Sequence, residues 1–290
     1  MIPASFDYVR PASLEEALAI LRDREGEAKV LAGGYSLLPL MKLRLAQPAL
    51  VVDIGALGGL EGIARTDDWW RIGARTTHRA ILGDDALAAD HPVMRDAARG
   101  IGDPQVRNWG TIGGSCAHAD PSSDWPAVLQ ALGASFVCRS ASAERVVAAR
   151  GFFLDAFQTG IEPTEVLTEV RIPIAAPRSG SAYVKLERRA GDFATVGAAA
   201  SIQLGDDGRI ATAGLALTAV GDAPFTATDA EAALAGAAPG EEAFAAAGAA
   251  AAAQARPVAD GHGPADYKRA MAREIVIRAL RLAAERAAAA

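Results

Sequence analysis

Two pairs of adjacent glycines, each preceded by an apolar stretch, constrain this chain more than any other feature of its sequence. The first pair lies in residues 32–36, AGGYS, and the second in residues 111–115, TIGGS, about eighty positions later. Glycine tolerates a positive φ and lets bare backbone N–H groups approach a ligand closely, which suits a phosphate. A lone Gly-Gly pair is more often a simple turn from a strand into a loop. Two such stretches, which we call the first and second glycine segments, predict two loops that close on one diphosphate.

The size and composition of the chain indicate a globular protein whose partner is a small ligand or another protein. Its 290 residues suffice for a substantial core, and we expect two domains. Hydrophobic residues make up 51% of the chain and charged residues 22%, which is a globular rather than a disordered composition. The formal net charge of -6 argues against a nucleic-acid-binding protein, because such proteins usually carry a basic face.

The two cysteines, Cys116 and Cys138, exclude some further classes of site. They cannot supply the four thiolates that an iron–sulfur cluster normally needs, and they do not make a disulfide-rich scaffold. The first residues show no basic start followed by an apolar stretch, and no apolar run approaches the roughly 18 residues of a membrane span. We therefore expect a cytoplasmic protein without a cluster of its own.

Apolar periodicity and turn residues predict an α+β protein. Ser13 and Glu16 form an S-x-x-E capping box that starts a helix, and residues 79–89 are predicted as one further helix. Proline, glycine and serine make residues 175–181 the best candidate for a linker between domains. Strands are predicted at residues 29–31, 50–54, 70–73, 165–173, 181–186, 194–204 and 209–220.

The C-terminal part of the chain is predicted to form an antiparallel sheet covered by helices. Its strands are the last three of that set, joined by a tight turn at residues 205–208. Alanine-rich helices at residues 226–236 and 240–256 have the apolar spacing needed to cover one face of this sheet. A last helix is predicted at about residues 266–285, where a covering role is preferred to docking of a partner.

Several residues that resemble catalytic or metal-binding groups fit a structural role better. His78 and His91 have no acid or cysteine at ligand spacing, so we expect them to cap or pack. Cys116 and His118 lie two positions apart on one segment, and such neighbours rarely form a nucleophile–base pair. We predict no catalytic residue and no metal ligand in this chain.

The second glycine segment offers small hydrogen-bond donors. Its glycines can present N–H groups, and the hydroxyls of Thr111 and Ser115 add to them. Neither glycine segment contains a basic residue, so we expect fixed backbone dipoles to supply most of the contacts to a diphosphate. The basic residues expected nearby are Lys42, Arg44 and Arg107.

Asp124 has two interpretations. It stands directly before an apolar helix, where an N-cap residue would lie. Its carboxylate could instead accept hydrogen bonds from ribose or ribityl hydroxyls of a nucleotide. Spacing alone favours neither interpretation.

A family resemblance follows from motifs that occur in a fixed order. They are FDYVRPASLEEAL, LAGGYSLLPLMKLRLAQP, VVDIGAL, GDPQVRNWGTIGGSCAHADPSSDWPA, EVLTEVRIP, YVKLERRAGDFATVGAA and PADYKRAMA. Together they extend over nearly the whole chain. The sequence resembles the FAD-binding medium subunit of the molybdenum hydroxylases, the group that includes carbon monoxide dehydrogenase and the flavin part of xanthine dehydrogenase.

The resemblance implies a two-domain protein that binds FAD without a covalent bond. FAD would lie in a cleft between two α+β lobes of a domain similar to that of vanillyl-alcohol oxidase, and a smaller sheet-and-helix domain would close over it. The implied boundaries are residues 1–176, with lobes at about 1–55 and 56–176, and residues 177–290. By motif matching, the implied FAD contacts are Ala32, Gly33, Gly34, Tyr35, Ser36, Leu37, Ile101, Thr111, Ile112, Gly113, Gly114, Ser115, Asp124, Leu167 and Lys185.

Some of these positions carry a specific role or a departure from the family pattern. A cation at Lys185, beside the pyrimidine edge of the flavin, would stabilise the negative charge of the reduced ring. Ser115 stands where many relatives carry asparagine, and Tyr35 where smaller polar side chains also occur. The nearby charged residues Arg188, Arg189 and Asp192 either line a route for the electron acceptor or form a surface ion-pair cluster, and we prefer the cluster.

The implied function is electron transfer inside a complex. A large molybdopterin-binding subunit would hydroxylate the substrate and a small subunit with two [2Fe-2S] clusters would pass on the electrons. This chain would hand them to a quinone, NAD or oxygen, in what is expected to be a dimer of heterotrimers. Two rival hypotheses are an autonomous flavin oxidase or reductase and a non-catalytic nucleotide-binding assembly module.

Overall fold

The first glycine segment follows a small parallel sheet. The computed structural model describes all residues 1–290. The first elements are β1 (Asp7–Val9), α1 (Leu14–Asp23), β2 (Ala28–Leu31), α2 (Leu37–Lys42) and β3 (Leu50–Asp53). β3 lies between β1 and β2 and runs parallel to both. As the capping box predicts, the Ser13 hydroxyl accepts a hydrogen bond from the Glu16 N–H at 3.1 Å, and α1 buries its apolar face against β3.

A larger antiparallel sheet and a group of short helices form the second lobe. The elements are β4 (Ile63–Arg65), β5 (Trp69–Gly73), α3 (His78–Gly83), α4 (Asp85–Asp90), α5 (Pro92–Gly100), α6 (Pro104–Trp109), α7 (Ile112–His118), α8 (Asp124–Ala131), β6 (Ser135–Arg139), β7 (Glu144–Ala148), β8 (Phe153–Asp155), β9 (Gln158–Thr159) and β10 (Val166–Pro173). Five of the strands pair in the order β4-β5-β10-β6-β7. Their inner face packs against α5, α7 and α8 in a core that includes Trp125, Phe136 and Phe152.

The C-terminal part of the chain is a four-stranded antiparallel sheet with helices, as predicted. Its elements are β11 (Ser179–Leu186), β12 (Val196–Leu204), β13 (Ile210–Thr218), β14 (Phe225–Thr226), α9 (Thr228–Leu234), α10 (Glu241–Gln254) and α11 (Ala265–Ala289). The strands pair in sequence order. None of the eleven helices of the chain has the length and hydrophobicity needed to cross a bilayer.

This C-terminal sheet is covered on both faces, not on one. One face packs against α9 and α11, and α10 lies over those two helices. The other carries the cross-strand neighbours Tyr183, Ala199 and Ala216 and joins the core of the second lobe. A Cβ at Gly214 would overlap the carbonyl oxygen of Ala131 at the end of α8. Small residues on β12 and β13 therefore allow the sheet to lie directly against the second lobe.

The predicted α+β class is confirmed, but some predicted elements are wrong in detail. The helix expected at residues 79–89 is two helices, because the Asp84 side chain accepts a hydrogen bond from the Leu87 N–H at 2.8 Å and starts α4. The linker is shorter than residues 175–181, since β11 already begins at Ser179. The second glycine segment is not a loop but the start of α7.

A charged tie joins the end of α11 to the second lobe. Arg286 donates to both carboxylate oxygens of Asp96 on α5, at 2.6 and 3.1 Å, and also to the carbonyl oxygen of Ser181 on β11. The backbone N–H of Tyr183 donates to the same Asp96 at 3.2 Å. Asp96 thus connects α5, β11 and the last turns of the chain.

Candidate functional site

The two glycine segments meet in the structure. A Cβ at Gly33 would overlap the carbonyl oxygen of Trp109 and would lie 3.1 Å from the Cα of Gly110, which precedes the second segment. Gly34 takes a positive φ of 81° at the turn into α2, which a residue with a side chain adopts only with strain. The predicted proximity of the two segments is therefore confirmed, and glycine at position 33 is what permits it.

A cavity of about 560 Å³ lies beside the first glycine segment, within the size range of cofactor sites. Arg10 and Lys42 reach this cavity, and neither makes a hydrogen bond or ion pair with the rest of the chain. Its other lining residues are Leu31, Ala32, Gly33, Gly34, Tyr35, Leu38, Pro39, Asp53, Gly55 and Trp109. Two unpaired cations beside a glycine turn make this side of the cavity attractive to an anion.

Asp53, the acidic residue that lines this cavity, already accepts hydrogen bonds from the protein. Asp53 accepts hydrogen bonds from the Tyr8 hydroxyl at 2.5 Å and from the Gly55 N–H at 2.7 Å. The other two basic residues expected near the glycines are also tied elsewhere. Arg44 donates to the carbonyl oxygen of Ile2, and Arg107 donates to the carbonyl oxygens of residues 101 and 102 at 2.9 Å. Of the three predicted basic neighbours, only Lys42 reaches the cavity.

The backbone of the first glycine segment has free donors. None of the N–H groups of residues 32–37 donates to an acceptor of the protein, whereas the backbone on both sides is paired in β2 and α2. The segment is partly exposed, so these N–H groups are accessible to water or to a ligand. A run of unpaired amides next to two cations therefore fits the diphosphate of a dinucleotide.

The glycines of the second segment do not present free amides, and that prediction was wrong. The N–H of Gly113 donates to the carbonyl oxygen of Ala74 at 2.8 Å, and the N–H of Gly114 donates to the Thr111 hydroxyl at 3.1 Å. The amides of residues 112 and 115 are also paired inside the protein. Thr111 is the N-cap of α7, and its hydroxyl proton remains able to donate. Gly113 is needed because a Cβ there would overlap Ala74.

A second group of predicted residues forms a buried polar cluster. Asp124 is not the N-cap of α8, because Ser123 occupies that position. Its carboxylate accepts a hydrogen bond from the Tyr183 hydroxyl at 2.5 Å and lies 3.3 Å from the ammonium of Lys185. The same ammonium donates to the carbonyl oxygen of Gly100 at 3.0 Å, directly before Ile101.

Burial and the neighbouring charge act in opposite directions on this cluster. Burial raises the pKa of the Asp124 carboxyl above its usual value, and the Lys185 ammonium and the Tyr183 hydroxyl oppose that rise. Burial and the adjacent carboxylate raise the pKa of the Tyr183 phenol well above 10. The phenol therefore stays a hydrogen-bond donor throughout the physiological pH range.

The strand that carries this cluster leads into a loop that closes over the residues next to Ile101. A Cβ at Gly191 would lie 2.6 Å from the carbonyl oxygen of Gly102. The Arg188 guanidinium donates to the carbonyl oxygen of Gly261 at 2.8 Å. Arg188, Arg189 and Asp192 make no salt bridge, so the predicted surface ion-pair cluster is wrong.

The predicted site residues thus fall into two groups. The cavity at the first glycine segment includes none of Ile101, Asp124, Leu167 and Lys185. Leu167 is only 6% exposed on β10, beside Thr168, whose carbonyl oxygen accepts the Ala74 N–H. The carbonyl oxygen of Ala74 accepts the hydrogen bond from the Gly113 N–H, so Ala74 links β10 to the second glycine segment. FAD contact by each of these residues stays a prediction.

The histidines and cysteines have the structural roles expected of them. His78 accepts a hydrogen bond at Nδ1 from the Trp125 indole at 3.0 Å, and the ring of His91 pairs with the carbonyl oxygen of Pro173 at 2.8 Å. Cys116 is fully buried, and burial raises the pKa of its thiol, so it is not an activated nucleophile. The site can hold and polarise a ligand, but it offers no nucleophile of its own.

Comparisons with known proteins agree with a flavin site. The model of the FAD binding domain in molybdopterin dehydrogenase matches residues 4–175, more than half of the chain. The model of the CO dehydrogenase flavoprotein C-terminal domain matches residues 181–283. This protein is an FAD-binding medium subunit of the molybdenum hydroxylase family.

Individual relatives are similar to this medium subunit over its full length. The carbon monoxide dehydrogenase medium chain of Afipia carboxidovorans is 44% identical, over 99% of each chain. A carbon monoxide dehydrogenase structure from Hydrogenophaga pseudoflava, which lacks the Mo-pyranopterin moiety, superposes with a TM-score of 0.96 at 44% identity over 99% of each chain. Quinoline 2-oxidoreductase from Pseudomonas putida 86 superposes with a TM-score of 0.91 at 34% identity, again over 99% of each chain.

Some site residues of this medium subunit escaped sequence reasoning. Arg10 and Trp109 reach the cavity although they lie well outside the glycine pairs. Tyr183 contacts Asp124 from a different domain, and the only signal in the sequence was its position two residues before Lys185 on the same side of a strand. No local pattern could have paired that hydroxyl with Asp124.

We expect Gly33→Ala to weaken FAD binding about tenfold or more, because the added methyl group would push the first glycine segment away from Trp109. Gly83→Ala is the matched control, since a Cβ there meets nothing within 4 Å. The measurement is the FAD dissociation constant of the apoprotein by quenching of flavin fluorescence. Equal constants for the two variants would contradict the role assigned to Gly33.

His78 predicts a loss of stability in mild acid. Burial, assisted by the charge of Arg107, lowers its pKa from 6.5 to about 4. The unfolded chain then binds a proton that the folded chain refuses, so stability is complete above pH ~6.5 and falls as the pH drops toward about 4. We expect His78→Asn to remove about 2 kcal/mol of the destabilisation between pH 7 and pH 5, as measured by urea unfolding.

Gln105→Asn, at an exposed position of α6 without a titratable group, is the matched control for that measurement. It should leave the pH dependence of the unfolding free energy as in the parent protein. A His78→Asn protein with the parent's pH dependence would show that His78 does not titrate in this range.

Proposed function

We propose that this medium subunit is an electron-transfer subunit that receives electrons from [2Fe-2S] clusters of a partner and passes them to an external acceptor such as a quinone, NAD or oxygen. The observation that carries the proposal is the run of unpaired amides at residues 32–37 beside Arg10 and Lys42. FAD, when bound, supplies the two-electron redox chemistry. Every other contribution comes from the chain, which binds, orients and polarises the cofactor.

The two groups of site residues would divide this work. The first glycine segment and its two cations would hold the diphosphate, whose charge the amides and cations together offset. Thr111 and Ser115 would add hydroxyl donors from the start of α7. Lys185, held by Asp124 and the carbonyl oxygen of Gly100, would place a fixed positive charge at the flavin.

Partner subunits follow from what this chain lacks and from its relatives. Cys116 and Cys138 are both fully buried, so neither is placed to ligate an accessible cluster. We propose a large molybdopterin-binding subunit and a small [2Fe-2S] subunit, assembled as a dimer of heterotrimers in the cytoplasm. The proposal also keeps residues 1–176 as the FAD-binding domain and residues 177–290 as the C-terminal domain.

Reconstitution of the purified chain with FAD tests the proposed function. We expect a yellow protein whose flavin absorbance is bleached by dithionite or by a reduced [2Fe-2S] protein, and is restored by a quinone, NAD or oxygen. Organic substrates alone should leave the absorbance unchanged, because the chain offers no nucleophile or base at the site. Bleaching by an organic substrate alone would indicate an autonomous flavoenzyme, and failure to bind FAD would indicate a different function.

We expect Lys185→Met to lower the reduction potential of the bound flavin. Loss of a charge-assisted interaction worth about 1.5–3 kcal/mol corresponds to about 30–60 mV for a two-electron couple. The reduction potential falls because the reduced, anionic ring loses the cation that stabilises it. Lys29→Met on the exposed side of β2 is the control, and the potential is measured by dye-equilibrated titration. An unchanged potential in Lys185→Met would show that this ammonium does not act on the flavin.

A further inference from the structure

Three alternating residues of one strand and its extension point their side chains at the same place. Tyr183 and Lys185 lie on β11, and Glu187 follows directly after it. Tyr183 and Lys185 contact the Asp124 carboxylate, and the Glu187 carboxylate lies 3.5 Å from the Lys185 ammonium. The C-terminal domain thereby contributes both side chains that contact this carboxylate of the second lobe, and also the Glu187 carboxylate that shares its lysine.

The packing around Tyr183 leaves room for its hydroxyl and fixes its position. Its side chain is almost wholly buried, and its hydrogen bond to Asp124 measures 2.5 Å. Gly197 on β12 pairs with Lys185, and a Cβ at that position would overlap the Tyr183 hydroxyl. The backbone N–H of Tyr183 is fixed in turn by Asp96. This residue is held at both its backbone and its hydroxyl.

Asp124 does not have a cation to itself. Lys185 is the one cation in contact with it, and that ammonium is shared with Glu187. The Glu187 Oε2 atom is buried and accepts no hydrogen bond in the protein. The other groups in contact with the ammonium or the carboxylate are uncharged, namely the carbonyl oxygen of Gly100 and the Tyr183 hydroxyl. One cation therefore serves two carboxylates, and the phenol supplies the missing donor to Asp124.

We propose that Tyr183 is a positioning residue for the cofactor site: its hydroxyl keeps Asp124 ionised and oriented, and Asp124 in turn fixes the Lys185 ammonium toward the flavin. The inference rests on the proposed function, because it takes Lys185 to lie at the flavin. Hydrogen bonds donated to a carboxylate favour its ionised form. Removal of the phenol hydroxyl leaves Lys185 alone to oppose burial and the Glu187 charge, which both favour the protonated form, and a protonated Asp124 no longer holds the lysine.

The consequence is a pH dependence of FAD binding that Tyr183 sets. FAD affinity is highest where Asp124 is ionised and falls as the pH drops through the pKa of Asp124. In Tyr183→Phe that pKa lies higher, so the fall begins at a higher pH. We expect the acid limb of the binding curve to move up by about one pH unit, which is about a tenfold weaker affinity at a pH on that limb.

The experiment measures the FAD dissociation constant of the full chain between pH 5 and pH ~9. Tyr183→Phe is compared with Tyr267→Phe, whose ring is 43% exposed on α11 and whose hydroxyl bonds to nothing in the protein. The control should keep the parent's curve. The double variant Tyr183→Phe, Asp124→Asn should lose the acid limb altogether, because the group that titrates has been removed. A purely structural role of Tyr183 would lower the melting temperature and leave the acid limb in place.

A second probe covers the case in which Tyr183→Phe does not fold. Incorporation of 3-fluorotyrosine at position 183 keeps the shape and the hydroxyl but makes the phenol more acidic and a stronger donor. The acid limb should then move to lower pH, opposite to the change in Tyr183→Phe. An acid limb that stays in place in the 3-fluorotyrosine protein overturns the inference, whether or not Tyr183→Phe folds.

The outcomes also separate this inference from the proposed function. If Lys185→Met weakens FAD binding or shifts the flavin potential while both changes at Tyr183 leave the binding curve unaltered, only the positioning role is wrong. If the parent chain binds no FAD at any pH, or Lys185→Met changes neither affinity nor potential, the proposed site is wrong and the inference falls with it.

Discussion

The contact between Gly33 and the backbone of Trp109 is the constraint on which the site depends. It joins the turn after the parallel sheet of the first lobe to the end of α6 in the second lobe, with no side chain between them. Because backbone meets backbone, the distance cannot adapt by a change of rotamer, and the turn at residues 32–36 is held in one conformation. The N–H groups of residues 32–37 donate to no acceptor of the protein in this arrangement. The unpaired donors therefore lie directly beside the backbone contact between the two lobes.

The two glycine segments look alike in sequence but play different roles in the structure. From sequence, both were paired glycines after an apolar stretch, and φ > 0 with free amides was expected in each. In the structure only Gly34 has a positive φ, and the amides of Gly113 and Gly114 are consumed by α7 and by Ala74. The difference arises from a partner far away in sequence, the strand end at Ala74, which no local pattern reveals. Glycine serves close approach in both segments, at Gly33 and at Gly113, and a turn with a positive φ only at Gly34.

In the C-terminal half, too, the features that depend on sequence neighbours could be predicted, and the contacts between distant residues could not. Strand order, the turn at residues 205–208 and the helices followed from periodicity, because these depend on neighbours in sequence. The second covered face of the sheet did not, since it depends on small residues of β12 and β13 meeting α8. Tyr183 and Asp124 likewise belong to different domains, and their hydrogen bond exists only after those domains have docked. Domain docking therefore completes the polar cluster.

The Asp96 tie has a consequence for how this protein matures. Arg286 reaches back from the end of α11 to Asp96, and Asp96 also holds the backbone of the strand that carries Tyr183 and Lys185. A nascent polypeptide cannot make this connection until residue 286 has left the ribosome. The glycine turn and its cavity depend on residues that are translated much earlier. The polar cluster of Tyr183, Asp124 and Lys185 is therefore completed later in folding than the first glycine segment.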